Sequence, residues 1–142
     1  MNTSDLTKQV LKIISNHRGG VLSTVENNKP HSRYMTFYND DLTLYSPTKM
    51  NTEKLGEIEK NPFVSVLLGY EEQGQSDAYV QISGRSKINN SQNLKNKLWD
   101  DSFNKWFDGP EDPNYVFIEI QPETARILNH YDEPPQELNF LQ

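Results

Sequence analysis

Apolar residues recur along this chain with two periods, and the change from one to the other locates the elements. In "SDLTKQVLKIISNH", Leu6, Val10, Ile13 and Ile14 fall at helical spacing behind Ser4 as a candidate cap. Beyond Gly19 and Gly20 the period drops toward two. Short runs rich in β-branched and aromatic residues follow one another: "VLSTVE", "HSRYMTFYN", "LTLYS", "FVSVLLGY", "AYVQISGRSKI", "YVFIEI" and "ARILN". The turn-forming stretches "NNKP", "NDD" and "EEQGQSD" separate several of them. Six or seven strands joined by hairpin-length gaps predict a mainly β, α+β domain whose antiparallel sheet closes into a barrel. Two helices interrupt the strands, over about 53–60 and about 92–106. The second carries Leu94, Leu98, Trp99, Phe103 and Trp106. Residues 1–142 read as one domain, with a tail from about 132, "DEPPQELNFLQ", outside the core.

Composition narrows the chemistry. A chain of 142 residues buries enough surface for a core without staples. It has no cysteine, which removes disulfides, thiolate metal sites and cysteine nucleophiles. His17, His31 and His130 are far apart in sequence with no carboxylate cluster beside them, and each is expected to be a loop or strand-end residue and not a metal ligand. No apolar run reaches the roughly 20 residues of a membrane span, and "MNTSDLTKQ" lacks the order of a signal peptide, so a soluble, cytoplasmic protein is expected. Net charge is −6, and acid is concentrated late in the chain: residues 1–70 hold eight Lys/Arg against seven Asp/Glu, residues 71–142 six against thirteen. A nucleic-acid partner would need a basic face. A single small phosphate needs only a local basic pocket.

Such a pocket has a candidate. "PTKMNTEK", residues 47–54, leaves a strand and enters a helix, so Thr48, Asn51, Thr52 and Lys54 lie at or near a helix N-terminus, where unpaired N–H groups favour an anion. One strand earlier, alternation in "HSRYMTFY" puts Arg33 on the same face as Met35 and Phe37, a guanidinium among apolar neighbours. Adjacent strands joined through "NDD" would bring Arg33 near the Thr/Asn/Lys cluster. On local physics alone, a solvated Arg33 and a surface Lys54 account for the pattern equally well. No Ser/His/Asp set and no paired carboxylates stand at usable spacing, so no catalytic residue is named.

"HSRYMTFY", "LYSPTKMNTEKLGEIEKNPFVSVLLGY", "AYVQISGRSKI", "KLWDDSFNKWF" and "GPEDPNYVFIEIQPETARIL" occur in this order. Over about residues 5–130 the chain resembles the pyridoxamine 5′-phosphate oxidase-like FMN-binding split-barrel proteins, and within them the general stress protein 26 branch. The resemblance implies FMN at the interface of a homodimer. Arg33 and Lys54 match the cationic phosphate ligands, Thr52 a hydroxyl ligand to the same phosphate, and Thr48 a residue beside the ribityl chain or ring. Tyr34 and Met35 match positions against the isoalloxazine. Trp106 and Phe107 are candidates to complete the ring site from the second subunit. An FMN-dependent oxidoreductase acting on a small molecule is then expected, with a small molecule or a nicotinamide as electron donor. A flavin-binding stress or sensor protein without efficient turnover is the alternative, and a haem- or deazaflavin-binding barrel the third. The oxidases proper hold their substrate with an Arg and a His near the C-terminus; here Arg126 and His130 stand at another spacing, so little turnover of pyridoxamine 5′-phosphate is expected.

Overall fold

The structure is a computed structural model that describes residues 2–72, 77–131 and 133–141. The turn expected over 71–77 lies largely outside the described residues. α1 (Thr3–Ser15) buries Leu6, Val10, Ile13 and Ile14, the stripe read from the sequence. Its cap is Asn2, not Ser4: the Asn2 side chain accepts from the Asp5 N–H at 2.8 Å.

Eight antiparallel strands follow: β1 (Gly19–Glu26), β2 (Lys29–Thr36), β3 (Tyr38–Asp40), β4 (Thr43–Lys49), β5 (Phe63–Leu68), β6 (Tyr79–Asn89), β7 (Tyr115–Leu128) and β8 (Gln136–Asn139). The described strands differ from the expected six or seven in three places. "HSRYMTFYN" breaks at Phe37, whose buried side chain turns inward as its N–H bonds the Arg18 carbonyl at 2.6 Å, giving β2 and β3. "YVFIEI" and "ARILN" join into one strand, β7. The tail, expected outside the core, adds β8 along β7 and buries Leu138. Pairing pulls it in: Ala125 and Ile127 are already buried in β7, and Leu138 extends the same apolar surface.

The strands run in the order β2-β1-β5-β6-β7-β4-β3, with β8 beside β7. The two ends of that order, β2 and β3, are consecutive in sequence but not paired to each other, so the barrel is split between β2 and the β3–β4 hairpin. Ser46 Oγ donates to the Thr36 carbonyl at 2.6 Å at the closed end of the split. The long β6–β7 ladder bends at Ser83/Gly84, where the register shifts. A Cβ at Gly84 would lie 2.2 Å from the Gln121 carbonyl oxygen, so only glycine lets the strands approach this closely.

β7 also explains why its first half is buried on both faces. Val116, Ile118 and Ile120 enter the main aliphatic core with Val10, Leu22, Leu44 and Val66, while Tyr115 and Phe117 enter a second, aromatic cluster with Phe103 and Phe107. Each such burial stabilises the fold by roughly 1.5–3 kcal/mol. α2 (Glu53–Lys60) has the expected bounds. The helix expected over 92–106 is instead α3 (Gln92–Leu98) and a 3-10 helix (Asp101–Lys105). The break is local chemistry: Trp99 takes an extended backbone, and Asp100 caps a new start by accepting from the Ser102 N–H at 2.8 Å.

Candidate functional site

The split holds a cavity of about 540 Å³, and all eight residues singled out in the sequence line it: Arg33, Tyr34 and Met35 from β2, Thr48 from β4, Thr52 and Lys54 at the start of α2, and Trp106 and Phe107 after the 3-10 helix. One expectation about how they meet is corrected. β2 and β4 are not paired neighbours; Arg33 reaches the 48–54 segment across the open split because, among the described strands, β2 pairs only with β1. Trp106 and Phe107 line the cavity of their own chain, since the broken helix returns them to the β3–β4 side.

One wall is cationic. The alternation of β2 holds, with Arg33 and Met35 half-buried on the side that Phe37 continues. Arg33 Nη2 donates to Thr24 Oγ1 at 2.9 Å and to Glu57 Oε1 at 3.0 Å. Glu57 also accepts from Thr24 Oγ1 at 2.8 Å, and its Oε2 lies 3.0 Å from His31 Nδ1. Burial pushes the Glu57 carboxyl up, but the hydrogen bonds from Thr24 and His31 and the charge of Arg33 outweigh it and hold the group below its usual range. Lys54 differs: it forms no ion pair among the described residues, and burial together with the Arg33 guanidinium pushes its ammonium below its ordinary pKa. Asn51, at φ 63°, turns the chain into α2. Thr52 then spends its hydroxyl on the Lys49 carbonyl at 3.1 Å and leaves the first turn without a side-chain cap. Thr48 is buried, and its hydroxyl makes no hydrogen bond to a described residue.

The other wall is aromatic. Phe103 packs edge-on to Trp99 at 5.6 Å and to Tyr38 at 6.0 Å, and Phe107 lies 5.0 Å from the Tyr115 ring. Tyr115 is wholly buried and donates to the Lys95 carbonyl at 3.0 Å; buried Lys95 donates to the Asp112 carbonyl at 3.2 Å. Trp106 stands out from this cluster, 57% exposed at the mouth. Burial, then Asp100, pushes the Tyr38 phenol up, so it stays protonated.

The sequence reading missed Thr24, Glu57 and His31. A signal existed for the first: in "VLSTVE" Thr24 shares the phase of buried Leu22, a hydroxyl where an apolar residue is expected. His31 was read as a strand-end residue without carboxylates, yet folding brings it to Glu57, and brings His17 to Glu71 at 2.6 Å. Glu26, His31, Glu53 and Glu57 each place a ligand-type atom within 4.8 Å of the others, with Arg33 and Lys60 supplying cations to Glu57 and Glu26. Arg126 and His130 lie away from the cavity: Arg126 pairs with Glu137 at 3.9 Å, and His130 Nδ1 meets Gln9 Nε2 at 2.9 Å. Tyr34, 88% exposed, also borders a second open cavity of about 930 Å³ with Leu67 and Tyr70. No helix among the described residues is long and apolar enough to cross a membrane.

Comparison with known proteins agrees with this fold. The family model described as pyridoxamine 5′-phosphate oxidase matches residues 6–129. The chain is similar to general stress protein 26 of Bacillus subtilis, 49% identical over 140 residues, covering 99% of this chain and 100% of the relative. It is also similar to the crystal structure of general stress protein 26 from Bacillus anthracis, with a TM-score of 0.85, 40% identity, and 95% and 98% of the two chains covered. A pyridoxamine 5′-phosphate oxidase-related, FMN-binding protein from Nostoc punctiforme shares the fold at 15% identity and a TM-score of 0.68, over 94% and 85% of the chains.

Proposed function

Since the chain belongs to the pyridoxamine 5′-phosphate oxidase family, we propose that it binds FMN in the cavity at the barrel split and acts as a flavin-dependent oxidoreductase on a small molecule. The observation that carries this reading is Lys54. An ammonium that shares the cavity wall with a guanidinium, is partly buried and has no ion pair among the described residues calls for an anion from outside. The uncapped first turn of α2 offers backbone N–H groups to the same anion. A cavity of about 540 Å³ is of ordinary size for a cofactor, and its aromatic wall suits a flat ring. The FMN-binding relative supports the choice of ligand.

When bound, FMN supplies hydride and electron transfer. The chain's part is to hold and orient. Arg33 and Lys54 take the phosphate, with Thr52 at the same end; the Thr48 hydroxyl stands toward the ribityl chain or ring; Tyr34 and Met35 lie along the ring; Trp106 and Phe107 shield it from water. Arg126 and His130 are engaged elsewhere, so pyridoxamine 5′-phosphate is not the expected substrate. Tyr34, Leu67 and Tyr70 leave apolar surface beside the cavity, which favours a homodimer whose second copy covers it; sedimentation of a flavin-loaded monomer would count against this.

Among the described residues, neither a carboxylate nor a histidine lines the cavity. That favours, as a second reading, a flavin-binding stress protein without efficient turnover. Titration with FMN, riboflavin and FAD tests the first claim, with FMN expected to bind tightest. Reduction of the loaded protein by NADH or NADPH separates the two readings: rapid reduction supports an oxidoreductase, and an inert flavin supports the second.

A further inference from the structure

Glu57 stands one helical turn beyond Lys54 and is 2% exposed, while its partner Arg33 lines the cavity. A carboxylate so deep persists only if fully paired, and three partners from two strands supply this: Thr24 on β1, and His31 and Arg33 on β2. Their arrangement consumes part of the guanidinium. Both contacts of Nη2 go to Thr24 and Glu57, and Nη1 reaches the Leu22 carbonyl at 3.4 Å. Nε donates to no described residue, which leaves that edge for a ligand. The charge of Arg33 is likewise matched, whereas that of Lys54 is not.

Resting on the anion-site reading above, we propose that Glu57 is a positioning residue for that site. It acts through Arg33, fixing the guanidinium against β1 and cancelling its charge, so that Arg33 contributes directed donors and Lys54 the net charge. The two cations of the cavity therefore have separate roles. Phosphate binding should depend on salt through Lys54 almost alone, because screening acts on net charge.

The test titrates FMN and riboflavin into wild type, Lys54→Ala and Glu57→Gln over a range of NaCl concentrations, and follows melting of each apoprotein with inorganic phosphate. In Glu57→Gln the amide keeps an acceptor for Thr24 and Arg33 but no longer cancels the charge. FMN should then bind roughly three- to tenfold tighter at low salt, with a steeper salt dependence, while riboflavin is unchanged. In Lys54→Ala the salt dependence of FMN binding should nearly vanish. Weaker FMN binding in Glu57→Gln, or equal shifts for the two flavins, would reduce Glu57 to a structural prop and overturn the proposal. If Glu57→Gln does not fold, Lys54→Ala still decides: wild-type salt dependence there would mean that Arg33 keeps its own charge. Equal wild-type affinity for FMN and riboflavin would instead sink the FMN reading. The phosphate arm then stands alone, and a melting shift no larger in Glu57→Gln than in wild type rejects the role given to Glu57.

Discussion

On one side of the cavity Arg33 stands in a network of polar contacts with β1 and α2, with Lys54 beside it; on the other, Phe107 packs into a cluster of rings, with Trp106 exposed at its edge. The polar side is directional, sensitive to salt and blind to anything without a negative charge. The aromatic side works through buried area and shape, and treats any flat ring alike. A ligand with a ring at one end and a phosphate at the other would use both, so changes on the two sides should be separable by removing one end of the ligand.

The most severe way to break the comparison is to remove the foundation of the aromatic side. Phe103 is almost wholly buried, and Phe103→Ala should cost about 3–5 kcal/mol of stability and weaken both flavins together. Chemical denaturation and paired titrations would measure this; a loss confined to FMN would contradict the division. Lys54→Ala comes next. It removes a charge-assisted contact of roughly 1.5–3 kcal/mol, about ten- to 150-fold in FMN affinity. Riboflavin should lose almost nothing, and the apoprotein should be as stable or slightly more so, because the ammonium sits unfavourably at a helix N-terminus. Equal losses for the two flavins would withdraw the phosphate assignment. Trp106→Ala should be milder, roughly two- to twelvefold and the same for both ligands, with little change in melting since the side chain is more than half exposed.

The smallest effect concerns acid. Glu57 has its folded pKa below the ordinary 4.5, so its ionised form stabilises the fold fully above that pH. The contribution is lost as pH falls through the lower, folded value. Melting temperature should therefore drop more steeply for wild type than for Glu57→Gln between about pH 4.5 and pH 3. Parallel acid limbs would show that the Glu57 carboxyl has the same pKa folded and unfolded, against its pairing with Arg33 and His31.

Much of this site was legible because it depends on short-range rules. Strand alternation put Arg33 beside Met35 and Phe37, and the strand-to-helix transition put Thr52 and Lys54 at the start of α2. What could not be read was distant in sequence. Glu57 looks like any helical glutamate until α2 packs on β1 and delivers it to Thr24 and Arg33. The aromatic side was misjudged for a related reason: apolar spacing over 92–106 suggested a continuous helix, and only the capping by Asp100 reveals the break that swings Trp106 to the cavity. Leu138 in the tail has the same character, an isolated apolar residue whose burial depends on a partner strand.

β7 sets an order of events during synthesis. β4, which carries Thr48, is held by the short β3 hairpin on one edge and by β7 on the other, with Leu44 opposite Ile120 and Thr48 opposite Val116. A nascent chain that has emerged only as far as β6 can pair β1 with β2 and β5, but has nothing to dock β4 against, and a lone hairpin is marginal in water. The split is therefore completed only once β7 has been synthesised. Any small molecule that fills it must be captured from the pool by a finished barrel and cannot serve as a template around which the early strands fold.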